Sequence, residues 1–137
     1  DRLKKLGESQ GLKMLGFVED LTPYYESCKL AIAPLRYGAG VKGKVNQALS
    51  YGLPVVGSPD AFEGMGLTHE REVMVAETPE GFADSIAKVC SNRALWQALS
   101  EKGGASLAGR FTPEVAEEAL RHVLAPWLDE RDLETVG

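Results

Sequence analysis

Gly38, Gly40 and Gly43 fall within six residues of one another, with Lys42 and Lys44 between and after them. Glycine lets the backbone approach a ligand closely and adopt angles that other residues resist. Where such a loop feeds a helix, the unpaired N–H groups and the dipole of the first turn favour an anion. Two lysines add positive charge, so the combination suits a phosphate group. Arg36 and Tyr37 precede the loop, and Gln47 lies early in the helix that follows. Glu63, on a later glycine-containing loop, can accept strongly from a hydroxyl. Each has a plainer alternative: solvated lysines, a tight turn, a surface glutamine, a glutamate that only ties its own loop.

The elements that must position these residues are legible in the pattern around them. Leu30–Leu35 is a continuous apolar run, as in a strand buried on both faces of a parallel sheet. Val45, Ala48 and Leu49 give the following helix one apolar stripe. Gly52 supplies its left-handed stop, and Pro54 opens a second apolar strand at 54–57. Shorter strands are expected at 12–15 and 72–76. Thr22-Pro23, Thr78-Pro79 and Thr112-Pro113 read as helix starts, with threonine as the cap and proline in the first turn. Helices are expected at 22–28, 79–90, 92–103 and 113–128. The last carries Val115, Ala119, Leu120, Val123, Leu124 and Trp127 on a stripe that predicts a core face.

Strands alternating with helices imply an α/β fold, a Rossmann-like parallel sheet of about four strands flanked by helices. Ligands of open α/β sheets bind outside the carboxyl ends of the strands. Here that edge comprises the 16–20 turn, the 36–43 glycine loop, the 58–68 loop and the turn after Ala76. Residues 1–128 read as one domain, with 1–10 as the tail of a helix and 129–137 as a polar C-terminal tail.

The chain of 137 residues, 44% hydrophobic and 26% charged, has the composition of an ordinary globular domain. A net charge of −5 argues against a general nucleic-acid binder. No apolar run reaches membrane-spanning length. The two cysteines and two histidines lack metal-ligand spacing, and unpaired thiols suggest a reducing cytoplasm.

Gly38, Gly40 and Gly43 satisfy the G-x-G-x-x-G dinucleotide fingerprint, with Asp60 near the ribose-binding position. That fingerprint normally follows a domain's first strand, whereas here a strand and a helix come earlier. Gly38 to Lys44 also satisfies most of a P-loop, but Val45 stands where the magnesium-binding hydroxyl belongs.

The order of motifs is more specific than the glycines alone. Gly16-Phe17-Val18-Glu19-Asp20-Leu21, the run from Ala33 to Lys44, and Ala48-Leu49-Ser50-Tyr51-Gly52-Leu53-Pro54-Val55-Val56 closely resemble the C-terminal domain of GT-B glycosyltransferases of the family called group 1 or family 4. Glu63-Gly64-Met65-Gly66-Leu67 and the terminal helices with Phe111 extend the resemblance over roughly residues 16–124. It implies a donor domain that binds a nucleotide-diphosphate sugar for retaining glycosyl transfer without a metal cofactor. The acceptor would meet it on an N-terminal domain of the same protein. A strand–helix–strand segment normally precedes this part of the fold, so the chain is expected to be a fragment, inactive alone.

On this resemblance Arg36, Tyr37, Gly38, Gly40, Lys42, Gly43, Lys44, Gln47 and Glu63 are the candidate substrate-binding residues. The family's paired-glutamate motif is altered: Ala39 aligns with the first acid and Gln47 with the second. Ala39 cannot hydrogen-bond a sugar, and Gln47 keeps an acceptor oxygen but no charge. Two alternatives stay open: a non-catalytic nucleotide-binding or interaction module, and a nucleotide-sugar epimerase on the same fold.

Overall fold

Val45, Ala48 and Leu49 go where their spacing sends them, inward against a small parallel sheet. In the computed structural model, Gly7 and residues 11–38, 40–110 and 112–127 are described. The elements are α1 (Thr22–Ser27), β1 (Ala31–Ala33), α2 (Gly43–Ser50), β2 (Val55–Gly57), a 3₁₀ turn (Pro59–Ala61), β3 (Met74–Val75), α3 (Pro79–Ser91), α4 (Arg93–Ala108), α5 (Pro113–Leu124) and a second 3₁₀ turn (Ala125–Trp127). The strands run parallel in the order β1-β2-β3, with Ala31 opposite Val55 and Val56 opposite Met74.

β2 is central and buried throughout. Its alternation feeds two cores. Val55 packs with Val45, Ala48, Leu49, Phe62 and Met65 on one face, and Val56 with Met74, Val89 and Leu99 on the other. α4 crosses α2 at Gly103, where an added Cβ would lie 2.8 Å from Leu49 Cδ2 and 3.1 Å from the Glu72 carbonyl oxygen. A glycine inside a helix costs about 1 kcal/mol relative to alanine; here it permits a helix–helix approach that burial of Leu49 repays.

The caps divide. Thr78 Oγ1 accepts from Gly81 N at 3.1 Å and Thr112 Oγ1 from Val115 N at 3.3 Å, as their sequence predicts. Thr22 is no cap: it opens α1, and its own N–H donates to Asp20 Oδ1 at 2.9 Å. That bond, made to the charged form, holds the Asp20 carboxyl below its ordinary range. α4 is capped by Asn92, whose Oδ1 accepts from Leu95 N at 3.0 Å, and runs past the expected 103 to Ala108.

Other expectations are corrected. Three strands, not four, form among the described residues. Residues 12–15 carry no ladder, because no described segment pairs with them, and Leu12 and Met14 stay exposed. β1 is shorter than 30–35 and is not buried on both faces: among the described residues it has one neighbour, and Ile32 is 57% exposed. The third strand contracts to Met74–Val75, with a single bridge between His69 and Val73 before it. The apolar stripe of α5 is not a core face, since no residue of that helix is buried and Leu120, Val123, Leu124 and Trp127 are exposed. Periodicity specifies an apolar face but not its partner, and no described element covers this one. The readings of 1–10 (Gly7 apart) and 129–137, and of Ala39 and Phe111, lie outside the described residues.

Candidate functional site

The glycine loop leaves β1 at its carboxyl end and delivers the chain to the start of α2. Gly38 and Gly40 take φ of +140° and +76°, angles that would strain an L side chain. Lys42 folds back over them: its Nζ donates to the carbonyl oxygens of Gly38 at 2.9 Å and Gly40 at 2.6 Å. An ammonium has three donors, so one proton remains to face a ligand. Lys42 thus organises the loop from within.

Gly43 is the first residue of α2, and Lys42 caps it without a side-chain bond to the helix. The first N–H groups of the helix therefore lack a side-chain cap. Lys44, exposed on the first turn, borders a cleft of about 160 Å³ with Tyr25, Ala31, Ala33 and Ala48. Gln47 is also exposed and lies one turn further. Its Oε1 accepts from the Tyr25 hydroxyl at 3.4 Å, which leaves the amide N–H₂ as its outward group. Tyr25 stacks on Tyr51 with ring centroids 5.2 Å apart and planes 9° from parallel. Thr22 Oγ1 lies 3.0 Å from the Tyr51 hydroxyl. This aromatic pair ties α1 to the second half of α2 and to the residue that ends it. Tyr25 is absent from the candidate residues; a partner 26 positions away leaves no local signal.

Arg36 and Tyr37 are exposed, Tyr37 at 86%. Arg36 lines a separate cavity of about 370 Å³ over the strand ends, with Leu35, Ser58, Glu77, Thr78 and Phe82. Ser58, absent from the candidate residues, sets this corner. It is 8% exposed and donates from Oγ to the Leu35 carbonyl at 2.6 Å, while its N–H donates to the Ala33 carbonyl at 3.1 Å. A small hydroxyl residue just past a strand's carboxyl end is the sequence feature that would have singled it out.

Glu63 sits on the next loop of the same sheet edge, exposed between buried Phe62 and Met65. His69, read as a plain loop residue, accepts the Val75 N–H at Nδ1 (2.9 Å), which places the ring proton on Nε2 when the imidazole is neutral. Its neighbour Glu70 pairs with Lys88 of α3, and that ammonium holds the Glu70 carboxyl below its ordinary range. Among the described residues no three His, Cys, Asp or Glu side chains converge as metal ligands. Nor is any described helix long and apolar enough to cross a membrane.

The sheet, the loop feeding α2 and the helices on both faces define the Rossmann-like half of a GT-B architecture. Two solved structures share the fold. The C-terminal domain of a glycosyl transferase group 1 family protein (LpcC) from Francisella tularensis superposes with a TM-score of 0.69 at 13% identity, over 82% of this chain and 62% of that one. Sucrose-phosphate synthase from Thermosynechococcus elongatus gives a TM-score of 0.75 at 18% identity, over 91% of this chain and 34% of that one. The chain thus spans under two thirds of the first and about a third of the second. A search of curated proteins found no match. The family model "Glycosyl transferases group 1" matches residues 1–92, and the chain belongs to that family.

Proposed function

We propose that this chain is the donor-binding part of a glycosyltransferase and holds a nucleotide-diphosphate sugar. The single observation that carries the reading is the glycine loop, closed by Lys42, ahead of a side-chain-uncapped helix start at the carboxyl edge of a parallel sheet. The diphosphate lies against the N–H groups of residues 40–44, with Lys44 and the third proton of Lys42 as cations. As the glycosidic bond breaks, charge grows on the terminal phosphate, and fixed donors stabilise it where it develops. In this reading lysines and helix dipole serve in place of a metal, and the transfer is retaining. Gln47 meets a ribose oxygen through its amide N–H₂, and Glu63 accepts from a hydroxyl of the sugar. Arg36 and Tyr37 border the site. The acceptor binds on an N-terminal domain of the same protein, in the cytoplasm.

Titration of the chain with uridine and guanosine diphosphates and with UDP-glucose and GDP-mannose tests the reading. Amide signals in residues 36–47 and 60–66 should move, and Lys44→Ala should weaken binding about tenfold, the loss of one charge-assisted contact. Unmoved signals with all four ligands overturn it.

A second reading, a non-catalytic nucleotide-binding module, is favoured by one observation: the residue at the second acid position is an uncharged amide whose oxygen Tyr25 already occupies. Donor hydrolysis by the full-length protein separates the two. Turnover that falls in Lys44→Ala supports the enzyme, and nucleotide binding without turnover supports the module.

A further inference from the structure

Glu63 owes its place to a clamp from a distant helix. Met65 N donates to the Phe62 carbonyl at 3.1 Å, closing a four-residue turn with Glu63 and Gly64 at its centre. Gly64 has φ +73°, the angle a type II turn demands at its third position. Both shoulders of the turn are fixed by burial, Phe62 at 7% exposure and Met65 at 1%, while Glu63 projects into solvent. On the far side, Arg110 reaches back from just beyond α4. Its Nη1 donates to the Met65 carbonyl at 2.5 Å across 45 positions of sequence. The guanidinium lies close against Gly66, where any added Cβ would collide with Nη1. Gly66, at φ +59°, is therefore the residue that lets the arginine close on the turn.

We propose that Arg110 is a positioning residue for the sugar end of the donor site, holding the Phe62–Met65 turn so that the Glu63 carboxylate faces the donor's sugar. The proposal rests on the donor-binding reading above. Arg110 itself touches no ligand; it acts through the Met65 carbonyl. A guanidinium suits this role because it is always charged and planar, so it can donate to a carbonyl while passing close to a bare glycine backbone.

The test compares Arg110→Met, Arg110→Lys, Glu63→Gln and the Arg110→Met/Glu63→Gln double variant in the full 137-residue chain. Each is titrated with UDP and UDP-glucose, and with GDP and GDP-mannose. Arg110→Met should weaken the nucleotide sugar about fivefold and leave the free diphosphate unchanged, as loss of one hydrogen bond to a charged group would. Arg110→Lys should recover part of the loss, and in the Glu63→Gln background Arg110→Met should add nothing further. Equal weakening of diphosphate and sugar ligands, or additivity with Glu63→Gln, overturns the proposal and leaves Arg110 a merely structural residue. Amide signals of residues 62–66 give a readout independent of ligand: they should shift in Arg110→Met, and unmoved signals overturn the clamp. If the unaltered chain binds none of the four ligands, the donor reading has failed and with it this role, whatever those amide signals do.

Discussion

The glycine loop and the loop after β2 leave the same edge of one sheet and are held by opposite means. Residues 36–38 and 40–43 present one partly buried side chain, Lys42, and that side chain binds the loop's own carbonyls. Residues 58–66 bury Ser58, Ala61, Phe62 and Met65 in or beside the core and take a further bond from Arg110. The first loop is secured by exposed polar contacts, which water and salt weaken. The second is secured by apolar burial, at about 25 cal/mol per Å². A loop of the first kind adapts to a charged ligand; a loop of the second presents a side chain from a fixed place.

Removing an anchor of the second loop breaks the comparison most severely. Phe62 packs against Gly57 of β2, and Phe62→Ala should cost about 3–5 kcal/mol. Denaturant melts measure that loss, while amide signals of 38–43 should stay in place. The Ser58 side chain joins the second loop to the start of the first, through the Leu35 carbonyl. Ser58→Ala should cost about 1 kcal/mol and move signals at both 35–37 and 58–62. If only one loop responds, the two are independent. Lys42→Ala should cost about 0.5 kcal/mol, because its two bonds are made where water competes for them. Its main effect should be a local rearrangement of 38–43, seen in those amide signals alone.

The smallest expected effect is on pH. The Lys88 ammonium lowers the pKa of Glu70, just downstream of the second loop, and a backbone N–H of Thr22 lowers that of Asp20. Glu114, in the first turn of α5, is lowered by its own backbone N–H and by Thr112. An acid whose folded pKa is depressed contributes stability above its unfolded pKa and loses it as pH falls through the folded one. Melting temperature should therefore be flat near neutrality and decline modestly from about pH 5 to about pH 3. High salt should shrink the Glu70 part of that decline, because its partner is an exposed ion pair. Signals at 68–73 should move before those of the glycine loop.

Much of this site was legible without coordinates. The strand–glycine loop–helix unit, the two Thr-Pro caps that hold and the apolar stripe of α2 are local matters, decided by residues within one or two turns of each other. The resemblance to group 1 glycosyltransferases rests on such contiguous segments, and family and fold agree with it. Position in the sheet was not legible. The apolar run at 30–35 predicted burial on both faces, yet among the described residues β1 has a single neighbour and leaves Ile32 in solvent. The stripe of α5 met no partner among the described elements. Thr22 is the first residue of α1 rather than its cap, which falls on Leu21, and its N–H donates to Asp20 instead.

By itself the sequence determined where the backbone could bend, which segments were helices, and where positive charge and glycine coincide. Those properties depend on side-chain volume, backbone angles and periodicity over a few residues. Only the tertiary structure decided that Lys42 turns inward to its own loop, that Tyr25 occupies the Gln47 oxygen, and that Arg110 closes on the turn of Glu63. Each of these is a hydrogen bond, and its geometry must be met to within a few tenths of an ångström. For Tyr25 and Arg110 the partners lie 22 and 45 residues apart. Such a meeting is arranged by the packing of whole helices on the sheet, and short-range pattern carries no trace of it.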